Sequence, residues 1–387
     1  MKRILLIVLP LLFITLLSAS HLTPMEMKGG VDLTYGGEFR TRAIMNNDMA
    51  ENDGGWFDNR FRFDLTAKLA DKLGVTWTTE VGDILWGGAD GGFGNSNVNI
   101  ETRELYLDYQ MMWMDMKVRL GQQYWYDHRS LVLDDYFSGI TADMSFAGIP
   151  TELGFIKYDE GAINTLDDAH VAFANFMFKM PVDWGLTAMF DQCHANKTAD
   201  VWVIPYFMLN FEPVMLDLTA VIDYKMFPEN ADGDESEMGM AVAVKADVDM
   251  GVKLGADILY VDDKGINTLS SYYENGLYLF GNKLAYDGVQ INTNFNGWND
   301  EDGEPVAYMS FVGKASYPMS EKREVFAAIG MAQASESIGM EFNIGMNCKV
   351  MDKLMFCPVL AIGQAGKQIN ADENMVYMLG GLLKAEF

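Results

Sequence analysis

Apolar and polar residues alternate with a period of two along almost the whole chain, and a 3.6-residue period is nearly absent. In the stretch 34–45, Glu38, Arg40 and Arg42 share one face while Phe39, Thr41, Ala43 and Met45 share the other. In 60–69, Arg60, Arg62, Asp64, Thr66 and Lys68 interleave with Phe61, Phe63, Leu65, Ala67 and Leu69. In 116–120, Lys117 and Arg119 stand against Met116, Val118 and Leu120. Further on, Asp217, Thr219, Asp223 and Lys225 oppose Leu216, Leu218, Ala220, Ile222 and Tyr224, and Lys245, Asp247 and Asp249 oppose Val244, Ala246, Val248 and Met250. Each reads as a strand with one wet face and one oily face. Pro205 and Pro358 fall inside such strands, where bulges are expected.

The connections alternate too. Short turns recur near 70–74, 112–115, 147–151, 181–185, 211–215, 249–251, 318–324 and 351–353. Between them lie longer, Gly/Asn/Asp-rich loops near 46–56, 86–99, 126–135, 158–168, 194–200, 227–237, 262–305, 333–337 and 364–373. Eight turns and nine loops require eighteen strands. At roughly 20 residues per strand and connection, the length supports about the same even number, as bacterial barrels have. A soluble β sandwich, the competing architecture, has no reason to keep long and short connections in strict alternation. The pattern therefore predicts an all-β fold: one closed antiparallel transmembrane barrel over 21–387, with short periplasmic turns and long outer loops.

Two features of the strand ends agree. In the last strand Met375, Tyr377, Leu379, Gly381, Leu383, Ala385 and the terminal Phe387 share one face, and Val376, Met378, Leu382, Lys384 and Glu386 the other. A final strand ending in an aromatic residue resembles the signal by which outer-membrane barrels are recognised for assembly, with Phe387 and Tyr377 as its carriers. Aromatic residues also cluster at strand ends, as rings at a lipid–water boundary do. Trp56, Trp86, Trp125, Tyr126 and Phe227 fall near the long loops, and Trp113, Trp184, Phe211 and Tyr317 near the short turns.

Composition narrows the picture. The 387 residues are 49% hydrophobic and 21% charged, which excludes a disordered chain and a polytopic helical membrane protein. With 28 Lys+Arg against 55 Asp+Glu the formal net charge is −27, so no nucleic-acid partner is expected. Residues 1–20 read as a secretory signal peptide: Lys2 and Arg3, an apolar run over 4–17, then Ser18, Ala19 and Ser20 for cleavage. No Cys follows the cleavage point, so a lipoprotein signal is not expected.

Four stretches stand out over about 30–146: Gly36-Gly37-Glu38-Phe39-Arg40-Thr41-Arg42, Asn59-Arg60-Phe61-Arg62-Phe63-Asp64-Leu65 with the Asp71-Lys72-Leu73-Gly74 turn, Leu105-Tyr106-Leu107-Asp108-Tyr109, and Val118-Arg119-Leu120-Gly121-Gln122. In these the chain resembles the alginate-export family of outer-membrane porins. Gln122 stands where that family commonly has Arg, and Ser138 where it has Asp. The resemblance implies an eighteen-stranded porin-like channel more strongly than it implies alginate.

In such a barrel Arg40, Arg42, Arg60 and Arg62 cluster on one wall below the outer mouth, with Lys117 and Arg119 nearer the periplasm. Glu38, Asp64, Glu80, Glu104 and Asp108 interleave with them. Two readings of this set stand open: a basic ladder that passes anionic solutes such as uronate-like sugars by successive weak contacts, or a structural Arg–carboxylate network that braces the wall. The expected activity is passive diffusion of small hydrophilic solutes, with no cofactor and no enzymatic chemistry. The expected partners are outer-membrane lipid, lipopolysaccharide and the barrel-assembly machinery. The alternative is a non-conducting barrel, plugged by the 262–305 loop and serving adhesion or envelope integrity; its apolar patch Leu277-Tyr278-Leu279-Phe280 suits packing against a wall. A hydrolase would have to use His128 near Asp127 or His194 near Asp191, and neither has a Ser-containing motif beside it. Loop acids (Asp48, Glu51 and Asp53; Glu229, Asp232, Asp234, Glu235 and Glu237; Asp300, Glu301, Asp302 and Glu304) read as solvated surface before divalent-cation sites, since none has EF-hand spacing. The clustered Met111, Met112, Met114 and Met116 read as apolar filler before a soft-metal site. The 3 Cys offer no disulfide, with Cys348 facing lipid, Cys357 the lumen and Cys193 far away.

Overall fold

The computed structural model describes residues 31–47, 53–88, 92, 98–112, 114–159, 168–179, 182–193, 198–226, 236–281, 298–300, 302–369 and 374–387. Eighteen strands follow one another: β1 (Asp32–Asn47), β2 (Asp53–Ala70), β3 (Leu73–Leu85), β4 (Ile100–Gln110), β5 (Met116–Tyr126) and β6 (Asp134–Phe146). Then come β7 (Ile149–Asp159), β8 (Ala169–Lys179), β9 (Asp183–Cys193), β10 (Thr198–Phe211), β11 (Val214–Met226) and β12 (Glu237–Asp249). The last six are β13 (Lys253–Val261), β14 (Tyr308–Ser320), β15 (Arg323–Gln333), β16 (Ser337–Met351), β17 (Leu354–Ala365) and β18 (Met375–Glu386). Every strand pairs antiparallel with its neighbours in sequence, and β1 pairs with β18, so the sheet closes on itself. Strand count and the order of short and long connections match the expectation from the alternating pattern. The signal-like segment 1–20 lies outside the described residues.

Closure decides what the two faces mean. A closed sheet has no edge, so its strand N–H and C=O groups pair with neighbouring strands rather than with water, which is what a lipid environment demands. The oily positions (Leu105, Leu120, Ile140, Phe155, Phe207, Phe311, Ile329 and Leu379 among them) lie exposed on the outside. The polar positions turn inward. Among the described residues no helix is long and apolar enough to cross a membrane, so the strands themselves would span it.

At the seam the backbones of Gly37 and Phe387 exchange both hydrogen bonds, at 3.2 and 3.1 Å. The Phe387 ring stacks on Phe61 at 5.8 Å and covers Gly37, where a Cβ would sit 2.7 Å from it. The glycine is what lets the terminal ring lie flat across the closing strands.

The two prolines do not produce bulges. β10 keeps one register through Pro205, pairing it with Leu186 of β9, while its ladder to β11 omits Ile204 and Pro205. β17 likewise runs through Pro358, paired with Gly381 of β18. A proline lacks one donor, which faces one neighbour only, so the strand drops that bond and keeps its frame. Register shifts lie elsewhere, among them β2–β3 between Asn59 and Phe61 and β3–β4 between Thr78 and Thr79.

Candidate functional site

The register places Arg40 opposite Arg60 and Glu38 opposite Arg62, all four inward, so unlike charges meet on the diagonals of the ladder. Every guanidinium of this wall has a carboxylate. Arg42, 2% exposed, holds Asp58 through Nε at 3.0 Å and Nη2 at 2.5 Å, and reaches Asp83 at 3.1 Å. Arg40 meets Asp83 at 2.5 Å, and Arg60 meets Glu38 at 2.7 Å. Glu80, also 2% exposed, accepts from Arg62, from Arg103 at 2.6 Å, and lies 3.6 Å from Arg60 Nε. Lys384 closes the set from β18, 3.0 Å from Glu38. Lower down, Asp108 pairs with Lys117 at 3.0 Å and Arg119 at 3.3 Å, and the Arg119 guanidinium lies 4.8 Å over the Tyr106 ring. Asp64 and Glu104 flank the Thr78 hydroxyl at 2.9 and 3.0 Å.

The structure thus brings together Glu38, Arg40, Arg42, Arg60 and Arg62, and separately Asp108, Lys117 and Arg119. Two partners escape simple alternation. Arg103 is out of phase with Glu104 and Asp108 by one residue, and Asp83 follows the β2–β3 shift; both sit where register slips bring an extra residue inward. Asp58 extends the inward set of β2 by one step and was within reach of the pattern.

Two loops fold into the lumen. The β5–β6 loop makes a short 3₁₀ turn at His128–Ser130. Behind it, Asp127 accepts the backbone N–H groups of Leu131, Val132 and Leu133 at 3.0, 2.8 and 2.6 Å. Full burial pushes the Asp127 carboxyl up to about 6, against the pull of those three donors. The β13–β14 loop meets this one: Leu269 and Ser270 donate to Val132 O at 2.9 and 3.2 Å, and Tyr272 donates to Ser130 O at 3.1 Å. The loops spring from positions eight strands apart in a ring of eighteen, nearly opposite each other, so their contact crosses the lumen.

Wall residues hold both loops. Arg129 donates to Asp257 at 2.8 Å and to the Tyr273 hydroxyl at 3.1 Å, and burial beside Asp257 holds the Tyr273 phenol well above its usual range. Asn267 is fixed by Trp202, Asp223 and Asp200 at 3.0, 2.6 and 3.1 Å. Glu341 of β16 accepts the N–H groups of Tyr278, Leu279 and Phe280 at 2.8, 2.8 and 3.2 Å. Leu277 and Phe280 are 0% exposed, and the Phe280 ring fills the space left by Gly339 and Gly363. The apolar patch of this loop therefore packs on the inside of the wall. Residues 282–297 and 301 of the same loop lie outside the described residues. A cavity of about 560 Å³ opens beside the loop, with Lys245, Lys253, Glu274, Tyr278, Lys314 and Asn343 in its lining.

Several sequence expectations change here. Trp56 and Trp125 are lumenal, not part of an outer aromatic belt: Arg42 lies 5.2 Å over Trp56, and Trp125 donates to Glu152 at 2.8 Å. Their parity places them inward, and nearness to a loop misled. Trp86, Tyr126, Phe211 and Tyr317 are exposed outside as expected; Trp113 and Phe227 lie outside the described residues. His128 pairs not with Asp127 but with Asp217, at 2.9 Å, its ring stacked 3.9 Å from Tyr206. His194 lies outside the described residues, as do the loop acids Asp48, Glu51, Glu229, Asp232, Asp234, Glu235 and Glu301. Among the described residues no three His, Cys, Asp or Glu side chains form a group that could hold a metal ion, and no disulfide joins Cys193, Cys348 or Cys357.

No family model matches the chain, and no curated protein matches it significantly. Solved structures do. OpdK of Pseudomonas aeruginosa, solved with vanillate, superposes with TM-score 0.61 at 11% identity over 91% of this chain and 98% of that one. OpdL of the same organism gives 0.60 at 10% identity over 92% and 99%. A BenF-like porin from Pseudomonas fluorescens gives 0.58 at 11% identity over 92% and 98%. At about one identical residue in ten the likeness is one of fold, the closed barrel of bacterial outer-membrane porins. The alginate-export resemblance of residues 30–146 has no counterpart among these matches.

Proposed function

We propose that the chain is a porin-like channel of the bacterial outer membrane for passive diffusion of small hydrophilic solutes. One observation carries this reading: a closed ring of eighteen strands, apolar outside, encloses an interior lined with charged and hydrogen-bonding groups and narrowed by two loops. Barrels of this size hold an aqueous lumen rather than a filled core. The solved porins of the same fold agree with it, and no bond-making chemistry is needed. The test is recording from purified protein in planar bilayers, where stepwise conductance is expected.

For anionic saccharides the arginine wall offers less than its composition suggests, because each guanidinium already faces a carboxylate. Its remaining N–H donors suit hydroxyls as well as carboxylates. Changing Arg62→Glu puts a second carboxylate beside Glu80. Anion permeation is expected to fall about threefold at 0.1 M salt, where the screening length of about 10 Å lets the change act across the lumen. Unchanged permeation in bilayers would make that arginine a brace only.

The two loops joined across the lumen favour a second reading, a plugged barrel with an adhesive or envelope-structural role. Absence of conductance from correctly folded protein would select it.

Assembly belongs to the same proposal. The segment 1–20 directs export, and Phe387 with Tyr377 presents the final strand to the barrel-assembly machinery, after which lipid and lipopolysaccharide surround the belt. Because Phe387 also seals the seam, Phe387→Ser is expected to reduce heat-modifiable barrel in outer-membrane fractions several-fold. Undiminished yield on gel electrophoresis would remove the residue from both roles.

A further inference from the structure

We propose that the channel selects for cations, so that among small hydrophilic solutes those carrying net positive charge pass best; this rests on the channel reading above. The visible arginine wall points the other way, but its charge is spent locally. The five guanidinium groups on β1–β4 and Lys384 beside them each have a carboxylate within 3.0 Å, and six carboxylates answer these six cations. Two of them, Glu101 and Glu386, touch cations that other carboxylates already hold, so this cluster of twelve side chains is neutral.

Beyond that cluster, and apart from Asp108 between Lys117 at 3.0 Å and Arg119 at 3.3 Å, many lumenal carboxylates have neutral partners. Glu152 accepts from the Trp125 indole at 2.8 Å, Asp191 from the Tyr158 hydroxyl at 2.9 Å, and Asp200 from the Asn267 amide at 3.1 Å. Asp64 and Glu104 share the Thr78 hydroxyl, and Glu341 takes three backbone N–H groups. A hydrogen bond from a neutral donor satisfies the oxygen and leaves its charge uncancelled. The positive groups outside the cluster are fewer and partly committed: Lys117 and Arg119 share Asp108, Lys157 lies 3.0 Å from Asp168, Lys245 lies 3.2 Å from Asp247, Arg129 and Lys314 share Asp257, and Lys225 donates to the Lys264 carbonyl at 2.6 Å. Among the described lumen-facing side chains, then, carboxylates outnumber Lys and Arg, in keeping with the formal charge of −27 for the whole chain. Pairs closed within a few ångströms act as dipoles whose field dies quickly, whereas uncancelled charges reach a screening length of about 10 Å at 0.1 M salt. Low-dielectric walls focus that field and enrich counter-ions.

The experiment is the reversal potential of single channels in a KCl gradient. At 0.1 M salt the permeability ratio of potassium to chloride is expected to be several-fold above one, falling toward one at 1 M. The double variant Glu152→Gln, Asp191→Asn keeps an acceptor at each site and is expected to lower the ratio without changing gel migration of the folded barrel. Open channels with a ratio at or below one overturn the proposal and leave the channel standing, as does a ratio the double variant does not move. Folded protein without conductance overturns the channel reading itself, and this one with it.

Discussion

Replacing Glu341 by alanine is expected to at least double the single-channel conductance. The carboxylate is the point at which the β13–β14 loop is tied to β16, through three N–H donors at 2.8–3.2 Å. Hydrogen bonds to a charged group contribute about 1.5–3 kcal/mol each, and buried donors left without partners cost about 1–3 kcal/mol. Removing the acceptor therefore leaves Tyr278, Leu279 and Phe280 with three unsatisfied buried N–H groups. Water can satisfy them only if the segment leaves the wall. The Asn343 amide, which donates to both Glu341 and Gly276 O, loses one of its partners in the same step. Gly363→Val tests the same latch from its apolar side, since a Cβ there would lie 2.7 Å from the Phe280 ring. Wider channels in both variants, recorded in bilayers, are the expected result. Unaltered conductance in both would mean the narrowest point lies elsewhere.

Glu80→Ala is expected to destabilise the barrel by about 3–5 kcal/mol, the cost of stripping one partner from a buried ion pair. The effect sits at the upper end because one carboxylate serves Arg62, Arg103 and Arg60. Without it, three guanidinium groups face each other at close range. Urea unfolding followed by tryptophan fluorescence measures the loss, and Arg62→Ala added to Glu80→Ala is expected to restore part of it. The same substitution uncovers positive charge on the wall, so chloride permeability rises as stability falls. A barrel as stable as the parent would show that the network carries little of the wall's energy.

Much of this was legible in the chain. The inward positions of Arg40, Arg42, Arg60, Arg62, Lys117 and Arg119 follow from parity alone, because side chains in a strand alternate and one face had to be oily. Parity fails wherever the frame slips. Arg103 and Asp83 were missed for that reason, since a register shift turns an apparently outward residue toward the lumen. Pro205 and Pro358 suggest bulges, yet both strands keep their frame, because one absent donor costs a single ladder bond. For Trp56 and Trp125 nearness to a loop is a weaker guide than the alternation, which puts both inside.

What the amino-acid pattern determined by itself is the ring: its class, its eighteen strands, the order of turns and loops, and which residues face water. Those follow from local alternation and from the requirement that a lipid-facing sheet have no edge. What only the tertiary structure decided is who neutralises whom and where the loops go. Arg62 and Glu80 lie on neighbouring strands, but Arg129 reaches Asp257 across 128 positions and Glu341 captures a loop about 60 residues away. Such pairings depend on register, on the shifts in it, and on which glycines leave room for a ring, and none of these is a property of a stretch of chain taken alone.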